Sequence, residues 1–356
     1  MRTLLRPTAL VDCPFGHDGK VARLAGGLTW FAAVELIAVD GHERVSTELV
    51  PVDGIEGRFD EDMAAQWQAL TAPRPSLELG ERTVRLDQPQ VMGIVNATPD
   101  SFSDGGRFAD AAAAAEAGAD MARDGAAIVD VGGESTRPGA KPVWEGDEIE
   151  RIVPVIRQLA QSGAAVSVDT RKADVMTAAL EAGARMVNDV SALTYDERAA
   201  AILAAAGVPV VLMHHKGAPE TMQDQPRYDD VLVEVYLWLE ERIRAAEAAG
   251  IARGRLLVDP GFGFGKNVGH NLELMNGLAL FHSLGCPVVV GASRKRTIGA
   301  LSGEAAADKR LGGSIAFAVK AAEQGAQIVR VHDVFETVQA LKVWRGLRDQ
   351  ALTPRT

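Results

Sequence analysis

From Val91 onward the chain repeats one unit, a short run of β-branched and other apolar residues followed by an Ala-rich amphipathic stretch of helical length. Strands alternating with helices predict βα units that feed a parallel sheet. Eight strand candidates occur, at Val91–Val95, Ile128–Val131, Ala165–Val168, Met186–Val187, Val208–Met213, Leu256–Val258, Pro287–Val290 and Ile328–Val331. Helix candidates lie near 110–124, 145–161, 172–183, 196–206, 229–249, 268–284, 306–324 and 335–349. Eight of each predicts an α/β fold, a (β/α)8 TIM barrel. Gly125, Gly163, Gly183, Gly207, Gly285 and Gly325 punctuate the helix ends, where a left-handed residue commonly closes the last turn. Pro154 falls inside the second helix candidate and should kink or shorten it.

Residues 1–88 read differently, as a small N-terminal α+β appendage to a barrel spanning 89–356. Strand candidates at Leu28–Val39 and Arg44–Val52 flank a turn at Gly41, a short helix covers Asp60–Leu70, and a Pro-bearing linker runs through Thr71–Ser76. No chemical constellation converges there, which points to packing or assembly.

Hydrophobic residues make up 47% of the 356, ample for a large core. A net charge of −11 repels nucleic-acid phosphates and anionic lipid, so neither nucleic acid nor membrane is the expected partner. A small anion stays possible, because contacts within a few ångströms outweigh a distant field that salt screens over about 8–10 Å. Cys13 and Cys286 are too few for a disulfide framework and lack metal-ligand spacing, which suits a reducing compartment. Arg6, Pro7 and Asp12 interrupt the start, and no run of about 18 apolar residues occurs. A cytoplasmic location is expected.

In such a barrel the site lies where the strands end, and the residues there are nearly all polar. In order they are Asn96, Asp130, Asp169, Asn188 with Asp189, His214, Asp259, the Ser293-Arg294-Lys295 group, and Arg330 with His332. One such residue is usually a helix cap; caps alone do not account for all eight ends. Two long loops, Asn96–Gly106 and Gly132–Ala140, carry Gly, Pro, Ser and charge, the composition either of ligand-closing segments or of solvated turns.

Five motifs in order resemble the dihydropteroate synthases, a pterin-binding family: the first loop after Met92-Gly93-Ile94-Val95, Gly133-Glu134-Ser135-Thr136-Arg137-Pro138-Gly139-Ala140, Asp259-Pro260-Gly261-Phe262-Gly263-Phe264-Gly265-Lys266, Ser293-Arg294-Lys295, and Arg330-Val331-His332-Asp333. The likeness spans about residues 91–334 and leaves 1–88 uncovered. It implies an enzyme that joins 6-hydroxymethyl-7,8-dihydropterin diphosphate to 4-aminobenzoate, releasing diphosphate and 7,8-dihydropteroate in folate synthesis, as a homodimer formed through barrel helices.

The pterin edge offers a ring N–H beside an exocyclic amine, which suits a bidentate carboxylate; Asp259 is the candidate, with a cap on the following turn as its plainer role. By the resemblance Asp169 and Asn188 complete the polar floor, Met213 lines its apolar side, and Gly291 joins the substrate-binding set. Lys295 would hydrogen-bond the pterin carbonyl and ring nitrogen, and Arg330 would stack beside the ring. Asn96 would hold Mg2+ together with diphosphate oxygens, with His332 and Arg330 nearby. In the loops Asp100 and Asp104 would order the closed site, Phe102 and Pro138 would cover the aminobenzoate, and Thr136 and Arg137 would assist diphosphate or second-substrate binding. Phe264 belongs to the aminobenzoate pocket or to the core. Catalytic roles fall to Asp100, Asp104, Asp169, Lys295 and Arg330.

His214-His215-Lys216 invites a metal, but neighbours on a strand face opposite sides. The triplet replaces the family's usual His-Met-Gln, and Ala97 replaces a commoner valine. Gly261–Gly265 lacks the dinucleotide-loop spacing. Other readings of the barrel are a pterin-binding methyltransferase and a non-catalytic pterin-binding protein.

Overall fold

The computed structural model describes residues 1–97, 107–135, 142–217 and 222–353. Its centre is an eight-stranded parallel sheet. In chain order the strands and the helices between them are β7 (Gln90–Asn96), α2 (Arg107–Arg123), β8 (Ile128–Gly132), α3 (Glu145–Gln161), β9 (Val166–Asp169), α4 (Ala173–Ala182), β10 (Met186–Asp189), α5 (Ala199–Ala206), β11 (Val210–Met213), α6 (Val231–Ala248), β12 (Leu256–Asp259), α7 (Val268–Asn276), β13 (Val289–Val290), α8 (Arg296–Leu301), α9 (Leu311–Glu323), β14 (Ile328–Val331) and α10 (Val334–Ala351). Neighbours pair in the order β12-β11-β10-β9-β8-β7-β14-β13, and a parallel bridge from Val258 to Val288 brings the two ends together. The (β/α)8 barrel is therefore the fold.

Local chemistry explains where elements differ from the sequence expectation. Pro287 has no N–H to give a ladder, so the expected Pro287–Val290 strand contracts to Val289–Val290, with the Pro287 carbonyl accepting from Val258 N at 2.9 Å. The expected helix over 268–284 breaks at Gly277, where a Cβ would come within 2.6 Å of Leu232; a 3-10 stretch, Leu278–Leu284, follows. Helix α3 runs through Pro154 for its full 17 residues rather than ending there. The six punctuating glycines all take positive φ.

Before the barrel, β1 (Arg2–Val11), β2 (Ala22–Arg23), β3 (Trp30–Asp40) and β4 (Glu43–Pro51) form an antiparallel sheet, and α1 (Glu61–Thr71) follows. Strand β1 tolerates Pro7 because it lies at the sheet's edge, pairing only with β3. Arg2 ties this sheet to the barrel by bridging Asp62 of α1 and Glu240 of α6, at 2.8 and 2.6 Å. Arg44 reaches the α6 cap Asp230 at 2.6 Å. A hairpin of β5 (Leu77–Leu79) and β6 (Arg82–Val84) places Leu77, Leu79 and Val84, with Leu86, in one buried cluster with Met92, Ile128, Ala165, Met186, Val211, Leu257, Val289 and Ile328. This plug closes the N-terminal mouth of the barrel. Among the described residues no helix is long and apolar enough to cross a membrane.

Candidate active site

Side chains alternate across a strand, so two residues beyond that bottom layer the chain again points inward. The second layer is Ile94, Asp130, Ser167, Asn188, Met213, Asp259, Gly291 and Arg330. Two residues further lie Asn96, Gly132, Asp169 and His332. The intervening positions, such as Val129, Val131, Val168, Val187, Val258 and Val331, are buried in the cluster that also holds the helix side chains. An apolar floor gives way within one strand repeat to a polar mouth, and that change of chemistry marks the site.

Arg330 organises one wall. Its Nε donates to Asp130 Oδ2 at 2.6 Å and its Nη2 to Asp169 Oδ2 at 2.7 Å. Asn188 Nδ2 donates to the same Asp130 oxygen at 3.0 Å. Burial would lower the Arg330 pKa, but Asp130 and Asp169 hold it above the ordinary value. Burial pushes the Asp169 carboxyl up to about 7 against the pull of Arg330, with Asp130 adding repulsion.

Opposite stands Asp259 at the end of β12. Its Oδ1 accepts from Gly261 N at 2.7 Å, so the capping role exists. Its Oδ2 is left beside Gly291, where a Cβ would sit 3.6 Å away. The capping and ligand readings are thus compatible, one oxygen for each. Burial raises the Asp259 carboxyl, opposed chiefly by Lys295, and burial lowers Lys295 to about 8. Lys295 Nζ donates to the Phe262 carbonyl and lies 4.5 Å from the Phe264 ring centre.

The turn carrying Phe262 and Phe264 is fixed from beneath. Lys266 Nζ is buried and bonds the Gly261 and Phe264 carbonyls and His214 Nδ1, at 2.9, 3.1 and 2.8 Å. Gly261 has φ +71°, and a Cβ there would lie 1.8 Å from the His214 carbonyl, so only glycine fits. His332 pairs with Ser293 Oγ at 3.1 Å. The strand ends at Met213, so the expected opposition of His214 and His215 does not hold; both rings lie edge-on to Trp238, at 4.9 and 5.7 Å.

Of the residues expected from sequence, Asn96, Asp169, Asn188, Met213, Asp259, Gly291, Arg330 and His332 share the inward parity, and Lys295 and Phe264 come to them from two strand-following turns. Asp100, Phe102, Asp104, Thr136, Arg137 and Pro138 lie outside the described residues. Sequence reasoning listed Asp130 at its strand end without a role and passed over Ser167, although strand parity marks both as site members. It also passed over Lys266, and over Lys172, whose Nζ bonds Glu134, Glu148 and the Val143 carbonyl at 2.5, 2.6 and 2.6 Å. No local pattern announces those partners.

The fold and this inward polar set define a barrel enzyme built to hold a hydrogen-bonding heterocycle, and residues 92–332 match the pterin binding enzyme family. The chain belongs to the dihydropteroate synthase family. It is 49% identical over 259 residues to dihydropteroate synthase of Escherichia coli K12, covering 72% of this chain and 91% of that one. Against the Neisseria meningitidis serogroup B enzyme the identity is 48% over 276 residues, 76% and 96% of the two chains. Dihydropteroate synthase of Xanthomonas albilineans, solved with 4-aminobenzoic acid, superposes with a TM-score of 0.74 at 49% identity, covering 79% of this chain and all of that one. The same enzyme solved with 7,8-dihydropteroate gives 0.71 at 47% identity, over 78% of this chain and 100% of the other.

Proposed function

We propose that this chain condenses 6-hydroxymethyl-7,8-dihydropterin diphosphate with 4-aminobenzoate, giving 7,8-dihydropteroate and diphosphate in folate synthesis. The observation that carries this reading is the inward set Asp169, Asn188, Asp259, Lys295 and Arg330, two layers above a closed apolar floor, in a chain of this family. Asp259 Oδ2 and Asn188 address the amine edge of the pterin, Lys295 donates to its carbonyl edge, Arg330 flanks the ring, and Met213 covers its apolar side.

In the transfer, the methylene carbon–oxygen bond breaks and its electron pair leaves with diphosphate. The arylamine lone pair then forms the new carbon–nitrogen bond, and the nitrogen loses a proton. A cation-like methylene is favoured by a buried wall that carries Asp130, Asp169 and Asp259 against the cations Arg330 and Lys295. By the resemblance the first-loop carboxylates Asp100 and Asp104 would add to that field, Phe102 and Pro138 would cover the aminobenzoate beside Phe264, and Thr136, Arg137 and His332 would serve the anionic groups.

Magnesium fits this donor set through Asn96, a single amide oxygen at the end of β7, with diphosphate supplying most of the coordination. When bound, it would neutralise charge developing on the departing diphosphate. Chelation with excess EDTA is expected to cut diphosphate release at least 10-fold, with recovery on adding Mg2+; full activity in EDTA would remove magnesium from the account.

The ionisations suggest a narrow optimum. Asp169 must be charged to accept and Lys295 charged to donate, so kcat/KM for the pterin should rise as pH passes about 7 and fall as it passes about 8. Asp169→Asn should abolish the acid limb; an unchanged profile would dissociate Asp169 from turnover.

Residues 1–88 serve assembly or packing in this reading, and the enzyme works in the cytoplasm as a homodimer through barrel helices. Because Leu77, Leu79 and Val84 lie in the barrel's floor cluster, the informative truncation starts at residue 76. A soluble, dimeric and fully active product would leave the preceding sheet no essential part.

A further inference from the structure

Asp130 is covered completely, with no exposed side-chain surface, whereas its partner Arg330 keeps 18%. It therefore lies behind the site's surface. One oxygen, Oδ2, accepts from both Arg330 Nε at 2.6 Å and Asn188 Nδ2 at 3.0 Å, while Oδ1 has no partner among the described residues. These two donors come from β14 and β10, on either side of β8, and each is a group that the reading above sets against the pterin.

From this geometry we propose that Asp130 is a positioning residue for the transfer. It turns the plane of the Arg330 guanidinium through Nε, leaving Nη2 for Asp169, and it fixes the Asn188 amide with its NH2 turned inward and its carbonyl oxygen free for the ligand. A guanidinium held at Nε and Nη2 by two carboxylates cannot rotate about its last bond without breaking one pair. An amide whose nitrogen donates to a buried carboxylate cannot flip without losing that bond, so its carbonyl oxygen keeps its direction. Asp130 thus sets the direction of two contacts without touching the substrate.

The proposal rests on the reading of the site as a pterin-binding one, and wild-type turnover is the control for that reading. The test compares Asp130→Ala and Asp130→Asn, each also in an Arg330→Lys background, with folding monitored by thermal denaturation. Asparagine can place its single carbonyl oxygen where Oδ2 stands and keep both bonds. Asp130→Ala is expected to lower kcat about 100-fold with the KM for aminobenzoate within about 2-fold. Asp130→Asn should recover to within about 5-fold of wild type. In the Arg330→Lys background, Asp130→Ala should cost no more than about 3-fold further, because the group it positions has already changed. Equal losses for alanine and asparagine, full additivity with Arg330→Lys, or wild-type kcat in a folded Asp130→Ala enzyme would each overturn the proposal. Wild-type protein that neither binds pterin nor turns over would instead remove the reading on which it rests.

Discussion

Asp259→Asn is expected to lower kcat/KM for the dihydropterin diphosphate by roughly 10²- to 10³-fold, about 2.7–4 kcal/mol, while the protein remains folded. The asparagine oxygen can still accept from Gly261 N, which in the native site bonds Asp259 Oδ1 at 2.7 Å. The turn through Phe264 is thereby preserved. What changes is the atom facing Gly291: a charged acceptor becomes an NH2 donor, opposed to the donors of the pterin edge. Lys295 also loses the carboxylate that opposes its desolvation. Steady-state kinetics with circular dichroism would check this, and a loss below about 3-fold would take the pterin edge away from Asp259.

Arg330→Met should affect both stability and turnover. It removes the shared cation of a buried double ion pair, at 2.6 Å to Asp130 and 2.7 Å to Asp169, and leaves two carboxylates inside the barrel without it. Breaking buried pairs in this one-sided way costs about 3–5 kcal/mol. The sign with pH follows from Asp169. Its folded pKa, already raised from 3.8 to about 7, must rise further without Arg330, so the folded variant holds a proton that the unfolded chain releases near pH 4. Folding free energy is then lost progressively as pH rises toward the folded value. Denaturation by urea should show a larger deficit at pH 8 than at pH 6; equal deficits would mean that the carboxylates are compensated by some other group.

The barrel was legible because its signal is periodic and local. Apolar runs, nearly all followed by a polar residue, located all eight strands to within a few residues, and glycines such as Gly207 and Gly285 took the left-handed conformation expected of them. Strand β1 was hidden by Pro7 and Arg6, which argue against a strand unless it lies at an edge. Helix α8 is only six residues long, too short to show a helical period. The β5–β6 hairpin, just beyond the Thr71–Ser76 linker, gave no signal because three-residue strands carry almost no period.

Within the site, residue types and strand ends were readable but partners were not. Arg330 and Asp130 are 200 residues apart, and nothing near either one announces the other. Lys266 could be seen in its motif, yet its burial against His214 depends on the close approach of two chain segments around Gly261. Asp130 and Ser167 were recoverable in principle, since counting by two from Ile128 and Ala165 reaches them. The strand-end rule named Asp130 without giving it a role, and after Val168 it pointed to Asp169 rather than Ser167.

The most direct measurement of the central claim supplies the purified chain with dihydropterin diphosphate and Mg2+, with and without 4-aminobenzoate, and quantifies diphosphate and dihydropteroate together. The account predicts equal amounts of the two products, formed only when aminobenzoate is present at a catalytic rate. Tight pterin binding with neither product formed would contradict it, leaving a pterin-binding barrel without the transfer.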